Sequence, residues 1–389
     1  MGLFRMRCKK FLAVAILAAL APMAAAQVVG VALDPKAVLV EGELQIVDSP
    51  PADSVVFFEF SGARAKRLGQ VRAPTSFQGP PSSVAITADG KLALATASLR
   101  IDPINPKELA PNNKLTVIDL SASPVRVVQT IELGASPSSV AIDSTGTLAL
   151  AVHNADDSVT VLALADGHAR IVEKLPLGKG AGPLAAAFAP DGKRLLISFP
   201  DRGRIGVFAV ENGRLNVPAI RELSAGIYPT ALSYCGRSGL AVVGNYGKVT
   251  GDIDTISLLD VGAATPRVID TVSVGPAPEG VACSPDGRYA AASLQNMSTL
   301  PRTNPFYSPS SRVVLLKIDG KRLHRIAEAP FGAWAQGVGF LDDSRTLFAQ
   351  SMGDRSLHLF RIEGETLEIA APPIVFEDGA PVSYGISGR

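Results

Sequence analysis

The chain has 389 residues, with 37 basic against 36 acidic side chains and a formal net charge of +1. So even a balance offers no basic stripe, and neither nucleic acid nor an anionic bilayer is expected as a partner. No Cys-x-x-Cys-His occurs, and His153, His168, His324 and His358 stand apart from cysteines and acids at ligand spacing, so neither a metal nor any other cofactor is expected.

Residues 1–26 read as a secretory signal. Arg5, Arg7, Lys9 and Lys10 are followed by an apolar run over 11–20 and then by Ala24-Ala25-Ala26 before Gln27. The run is short for a bilayer span and no other run approaches one, so a periplasmic or secreted protein is expected. Cleavage leaves a single domain, 27–389, with 33 bases against 36 acids and a net charge of −3.

Residues 28–78 carry three strand candidates, 36–47 (with a break at Gly42), 54–60 and 67–72. None has the look of the units that follow. From there on one pattern recurs: a Gly/Pro turn, a short apolar run, an Asp-Gly or similar turn, and a second apolar run, which is two strands joined by a tight hairpin. The copies begin at Pro81, Pro137, Pro183, Pro229, Pro278, Ala335 and Pro381, at intervals of 56, 46, 46, 49, 57 and 46 residues. A period of about 40 to 50 residues built from short strands is the signature of a β-propeller with four strands per blade. The fold is therefore expected to be all-β, a seven-bladed β-propeller.

Within each copy the first strand alternates. Ile86, Ile142, Phe188, Tyr234, Cys283, Phe340 and Ile386 occupy one face, and Ala85, Ala141, Ala187, Ser233, Ala282, Gly339 and Gly385 the other. Bulky and small faces in alternation suit strands buried on both sides where wedge-shaped sheets crowd an axis. The last copy has no second strand, and the N-terminal strands have no inner one. The ring is expected to close through one blade made of both termini, which hides two sheet edges.

The run AVHNADDSVTVLAL at 151–164 and the run GPAPEGVACSPDGRYAAAS at 275–293 resemble the two halves of the repeat of the YVTN family of β-propellers. The resemblance spans nearly all of 27–389 and implies architecture; propellers host many unrelated activities. Seven-bladed lactonases share that architecture and typically carry an Arg-His pair before an inner strand and an Asn-Glu at the next strand's end. The stretch GPLAAAFAPDGKRLLISFPD has neither, so binding is preferred over catalysis.

Two blades are enlarged between their second and third strands, by residues 99–113 and 294–311. Long loops without elements of their own are usually functional or disordered. These two should overhang the axis from nearly opposite sides, on the face where the chain enters each blade. Asp53, Asp157 and Asp254 recur at one repeat position and read as turn caps. Glu279 is the only charged residue directly after a Pro position, yet it too matches the family repeat. The residues least explained by repetition are Tyr228, Tyr246, Arg202, Arg355, Trp334 and Gln336, with Phe306 and Tyr307 in the second insertion.

From these, Trp334, Tyr228, His153, Gln336, Arg355 and Tyr307 are taken as the candidate ligand-binding set. Trp334 either stacks on a ligand or packs on the neighbouring blade, with packing preferred, and His153, beside Asn154, reads first as a satisfied structural histidine. The expected function is an exported propeller, monomeric, that binds a small molecule or an envelope protein on its loop-rich face. The alternative is a hydrolase or lyase acting on a lactone or related small molecule. Cys235 and Cys283 lie in neighbouring inner strands, and because packed sheets sit about 10 Å apart they are expected to be free buried thiols.

Overall fold

Seven antiparallel sheets follow one another along the chain, their second strands buried throughout and their outermost strands largely exposed. In the computed structural model, which describes Gly2 and residues 27–388, they form the predicted seven-bladed propeller. The signal segment lies outside the described residues apart from Gly2. Blades 1 to 6 begin with inner strands Val84–Ile86, Ser139–Ile142, Ala186–Phe188, Pro229–Tyr234, Pro278–Cys283 and Ala335–Phe340. Five of them run outward through three more antiparallel strands. Blade 3 differs at its rim, where Arg214–Leu215 and Arg221–Ser224 both pair with Arg204–Glu211.

Blade 7 is made of both termini. Its inner strand Ala380–Ile386 pairs with Gln27–Asp34, which is followed outward by Ser54–Ser61 and Arg64–Arg72. The expected closure holds, but the expected strands need correcting. QVVGVALD at the very start of this region is a strand, with every residue but Val28 buried. Residues 36–47 are not in the blade at all. They form a separate hairpin, Ala37–Val40 against Glu43–Ile46, reversing at Glu41 and Gly42 in left-handed backbone. The physical reason is burial: Gln27–Asp34 is shielded on both faces, whereas Glu43–Ile46 exposes most of its surface and can only be a surface hairpin.

Hydrophobic clusters lie between neighbouring blades. Phe340, Phe348 and Phe360 are fully buried, and Phe57 is enclosed between blades 7 and 1 with Ile86 and Val84. Small residues on the inner strands let the sheets converge. A Cβ on Gly385 would stand 3.0 Å from Val84 of the next blade, so the crowding near the axis excludes larger side chains.

That convergence overturns the thiol expectation. Cys235 and Cys283 form a disulfide with Cα atoms 4.8 Å apart. The spacing of about 10 Å belongs to the middle of packed sheets, not to inner strands near an axis. Here the Cys283 amide already donates to Ser233 Oγ of the neighbouring blade at 3.0 Å.

Three extensions rise on the face where the chain enters each blade, all between second and third strands. They are the 36–47 hairpin of blade 7, the hairpin Leu99–Ile101 with Leu109–Pro111 in blade 1, and the 295–310 loop of blade 5. The blade 7 hairpin presses on the blade 5 loop: a Cβ on Gly42 would meet Pro301 N at 2.3 Å, and only glycine fits there at φ +81°. Phe306 of the same loop lies against Gly251 of blade 4. A wall thus runs along one side of the channel mouth.

Candidate functional site

The residue after each Pro position starts the innermost strand at the axis. Round the ring these residues are Ser82, Ser138, Leu184, Thr230, Glu279, Gln336 and Val382. A cavity of about 380 Å³ opens on this face, and Ser138, Leu184, Thr230 and Glu279 line it together with Tyr228, Tyr246 and Asn154. Leu99 and Pro111, at the foot of the blade 1 hairpin, also line it. The volume falls within the range of about 300 to 1,000 Å³ usual for small-molecule sites. No Lys, Arg or His is among its described lining residues.

Backbone geometry explains how Tyr228 comes to the mouth. In four of the seven copies the residue before the Pro position turns through left-handed backbone, at φ 56° for Gly182, 53° for Tyr228, 55° for Ala277 and 53° for Trp334. Glycine adopts that conformation freely, while a bulky L residue is strained by about 1 to 3 kcal/mol. Tyr228 therefore holds its ring at the cavity against a local cost. Its ring centroid is 6.3 Å from that of Tyr246, and Lys248 Nζ stands 4.9 Å over its face on the outer side.

Glu279 is the charge-bearing group of the cavity wall. Burial alone pushes its carboxyl from the ordinary 4.5 up to about 8, because no cation offsets the loss of water. Its Oε2 accepts from Gln295 Nε2 at 3.1 Å, and Gln295 Oε1 in turn accepts from the Tyr246 hydroxyl at 2.9 Å. Tyr246 is itself held well above the usual phenol range by burial, with Glu279 adding to the effect. Burial thus favours the protonated form of this carboxyl, a hydrogen-bond donor that no ordinary solvated glutamate provides at neutral pH.

Of the six predicted ligand-binding residues, the structure brings only Tyr228 to this cavity. Trp334 is buried in the core between blades and packs edge-on against Phe77 at 6.4 Å, so packing is its role here. His153 is fully buried, its Nε2 lies 2.8 Å from Thr160 Oγ1, and burial pushes the imidazole down to about 4. Gln336 is buried at the ring position next to Glu279, one blade on, and its side chain does not line the cavity. Arg355 is exposed in the turn between the second and third strands of blade 6, Thr346–Ser351 and Ser356–Glu363, and Tyr307 is half-buried within the blade 5 loop.

The recurrent aspartates bond backbone amides, as expected, but not those of their own turns: the partners lie 22 to 25 residues on. Asp157 accepts from the Gly180 and Gly182 amides at 2.6 and 2.7 Å, Asp254 from Ala277 at 2.9 Å, and Asp53 from Thr75 at 2.9 Å. Each ties a blade's turn to the loop entering the next blade.

Sequence reasoning gave Glu279 and Tyr246 too little weight and missed Gln295, Thr230 and Asn154. The signal was present for Glu279, the one ionisable residue at its repeat position. Gln295 directly follows a strand end and meets Glu279 only because the hairpin of blade 5 folds it back.

No family model matches the chain, and no curated protein matches it either. Solved structures do. A candidate 6-phosphogluconolactonase from Bacteroides fragilis aligns with a TM-score of 0.69 at 15% identity, over 94% of this chain and 99% of its own. Another from Bacteroides uniformis gives 0.67 at 15% identity, over 93% and 99%. The periplasmic gluconolactonase of Pseudomonas aeruginosa gives 0.65 at 13% identity, over 92% and 99%. The chain thus has the fold of gluconolactonase-like seven-bladed propellers, and identities this low carry the fold alone.

Proposed function

We propose that this protein is an exported propeller that binds a small, polar, uncharged molecule in the axial cavity on its loop-rich face. The observation that carries the reading is Glu279, a buried acid that reaches the wall of a 380 Å³ cavity whose described lining holds no cation. A carboxyl kept neutral in this way donates a hydrogen bond to a ligand carbonyl or ether oxygen, and the Tyr228 ring offers a flat apolar face beside it. Export is supported by the signal-like segment and by the Cys235–Cys283 disulfide, which belongs to an oxidising compartment. Titration calorimetry with a panel of neutral sugars, aldonolactones and polyols tests the reading. Saturable binding that Tyr228→Ala and Glu279→Gln both weaken supports it, and binding indifferent to both variants refutes it.

Lactone opening is the second reading, favoured by the pKa of Glu279 near 8. Water adds to the lactone carbonyl carbon, the ring C–O bond breaks, the protonated carboxyl gives its proton to the departing alkoxide, and the proton lost by the added water returns to the carboxylate. Hydrolysis of an aldonolactone, followed by acid release, should fall as pH rises through about 8 in the native chain. Equal rates for the native chain and Glu279→Gln would remove Glu279 from any such chemistry.

A further inference from the structure

The channel has a second cavity, of about 470 Å³, at its other end. Its outer rim comes from the hairpin turns that join first to second strands, among them Ala88, Ser144, Pro190, Gly236 and Pro285. Its walls come from both faces of the inner strands: Ile142, Phe188, Leu232 and Tyr234 with the smaller Ala85 and Ala187. Among the described lining residues one is charged, Arg237.

We propose that this apolar cup is a second binding site, independent of the loop-rich mouth, for a small organic anion with an apolar body and a carboxylate that pairs with Arg237.

The repeat shows that Arg237 is not there for the fold. Blades 1, 3, 5 and 6 carry Asp89, Asp191, Asp286 and Asp343 at this position of the turn. Each of those aspartates accepts from the amide two residues on, at 2.9 to 3.1 Å, and so closes its own turn. In blade 4 Ser238 has taken over. Its hydroxyl bonds the Cys235 carbonyl at 2.6 Å and receives the Leu240 amide at 3.2 Å. The turn is satisfied without residue 237, which is free to reverse the charge of its counterparts. Among the described residues Arg237 has no ion pair, whereas the four aspartates are turned to their own backbone and do not line the cup.

The turn is also fixed in place. A Cβ on Gly236 would stand 2.5 Å from Pro285 O of blade 5, and the disulfide joins the residue before it to Cys283. A guanidinium on a rigid base loses little freedom on binding, and its planar fork matches a carboxylate through two parallel hydrogen bonds. The partly exposed Ile142, Phe188 and Leu232 are wetted when the cup is empty. An aliphatic or aromatic body would displace that water.

The test is calorimetry on the chain from residue 27 onward with octanoate, octan-1-ol and octylammonium. Native protein should bind octanoate saturably and better than octylammonium. Arg237→Asp, which restores the residue of the other blades, should weaken octanoate roughly tenfold or more, as expected for a charge-assisted pair, and leave octan-1-ol unchanged. Ala187→Leu, which narrows the cup, should weaken all three probes with its melt unchanged. The proposal is overturned if octanoate shows no saturable binding, if octylammonium binds equally well, or if Arg237→Asp leaves octanoate affinity where it was. An unchanged melt for Arg237→Asp separates lost binding from lost fold.

Discussion

Gln295 Nε2 donates to Glu279 Oε2 across 3.1 Å, because Gln295 directly follows the second strand of blade 5, Tyr289–Leu294, which is paired with Pro278–Cys283, the strand that carries Glu279. The pair joins the ring at the axis to the base of the longest insertion, so a change in either is felt at both.

Glu279 predicts a pH signature. Its carboxyl has an ordinary value of 4.5 and reaches about 8 in the fold. Between those values the folded chain keeps a proton that the unfolded chain has released. The contribution to stability is therefore intact below about 4.5 and is lost as pH rises to about 8. Melting temperatures of the native chain and Glu279→Gln should diverge in favour of the variant across this window and run parallel below it. Parallel curves throughout would mean that the carboxyl titrates as if exposed.

Lys36 anchors the base of the blade 7 hairpin. Its Nζ lies 3.0 Å from Asp34 Oδ2, 2.6 Å from Asp53 Oδ2 and 2.9 Å from the Thr75 carbonyl, with the lysine and Asp34 side chains almost fully buried. Lys36→Met leaves two carboxylates facing each other with no cation. A loss of about 3 to 5 kcal/mol is expected from chemical denaturation. Adding Asp34→Asn should recover part of it, because the remaining charge is then single.

The disulfide predicts that the protein unfolded without reductant yields no reaction at Cys235 or Cys283 with a thiol reagent, and full reaction after reduction. Cys235→Ser with Cys283→Ala should cost about 2 to 4 kcal/mol. A variant as stable as the native chain would show that crowding at the inner strands, rather than the bond, holds blades 4 and 5 together.

Closure of the ring predicts the effect of deleting residues 381–389. The deletion removes most of Ala380–Ile386 and with it Val382, Ile386 and Tyr384, whose ring packs edge-on to Phe348 at 4.9 Å. Each buried apolar side chain lost costs about 1.5 to 3 kcal/mol, against a total stability of about 5 to 15 kcal/mol. No cooperative melt is expected. A truncated protein with a native-like transition would show that blade 7 stands without its inner strand.

How much was legible in the sequence follows from what repeats. Seven copies of a Gly/Pro turn and an alternating strand are local signals, set by turn chemistry and by the two-residue period of a strand, and they determined the fold, the blade count and the joining of the termini. That Asp53, Asp157 and Asp254 recur at one position was legible for the same reason, but their partners were not, because each bonds an amide 22 to 25 residues on, in the loop entering the next blade. The tertiary structure decided what depends on how far sheets converge. It brought Cys235 to Cys283, turned Trp334 into the core against Phe77, sent residues 36–47 out of the blade, and gathered Tyr228, Tyr246, Gln295 and Glu279 at one mouth. Side chains 50 residues apart meet there only because the blades are wedges, and the angle of a wedge is a sum over all seven blades that no single repeat contains.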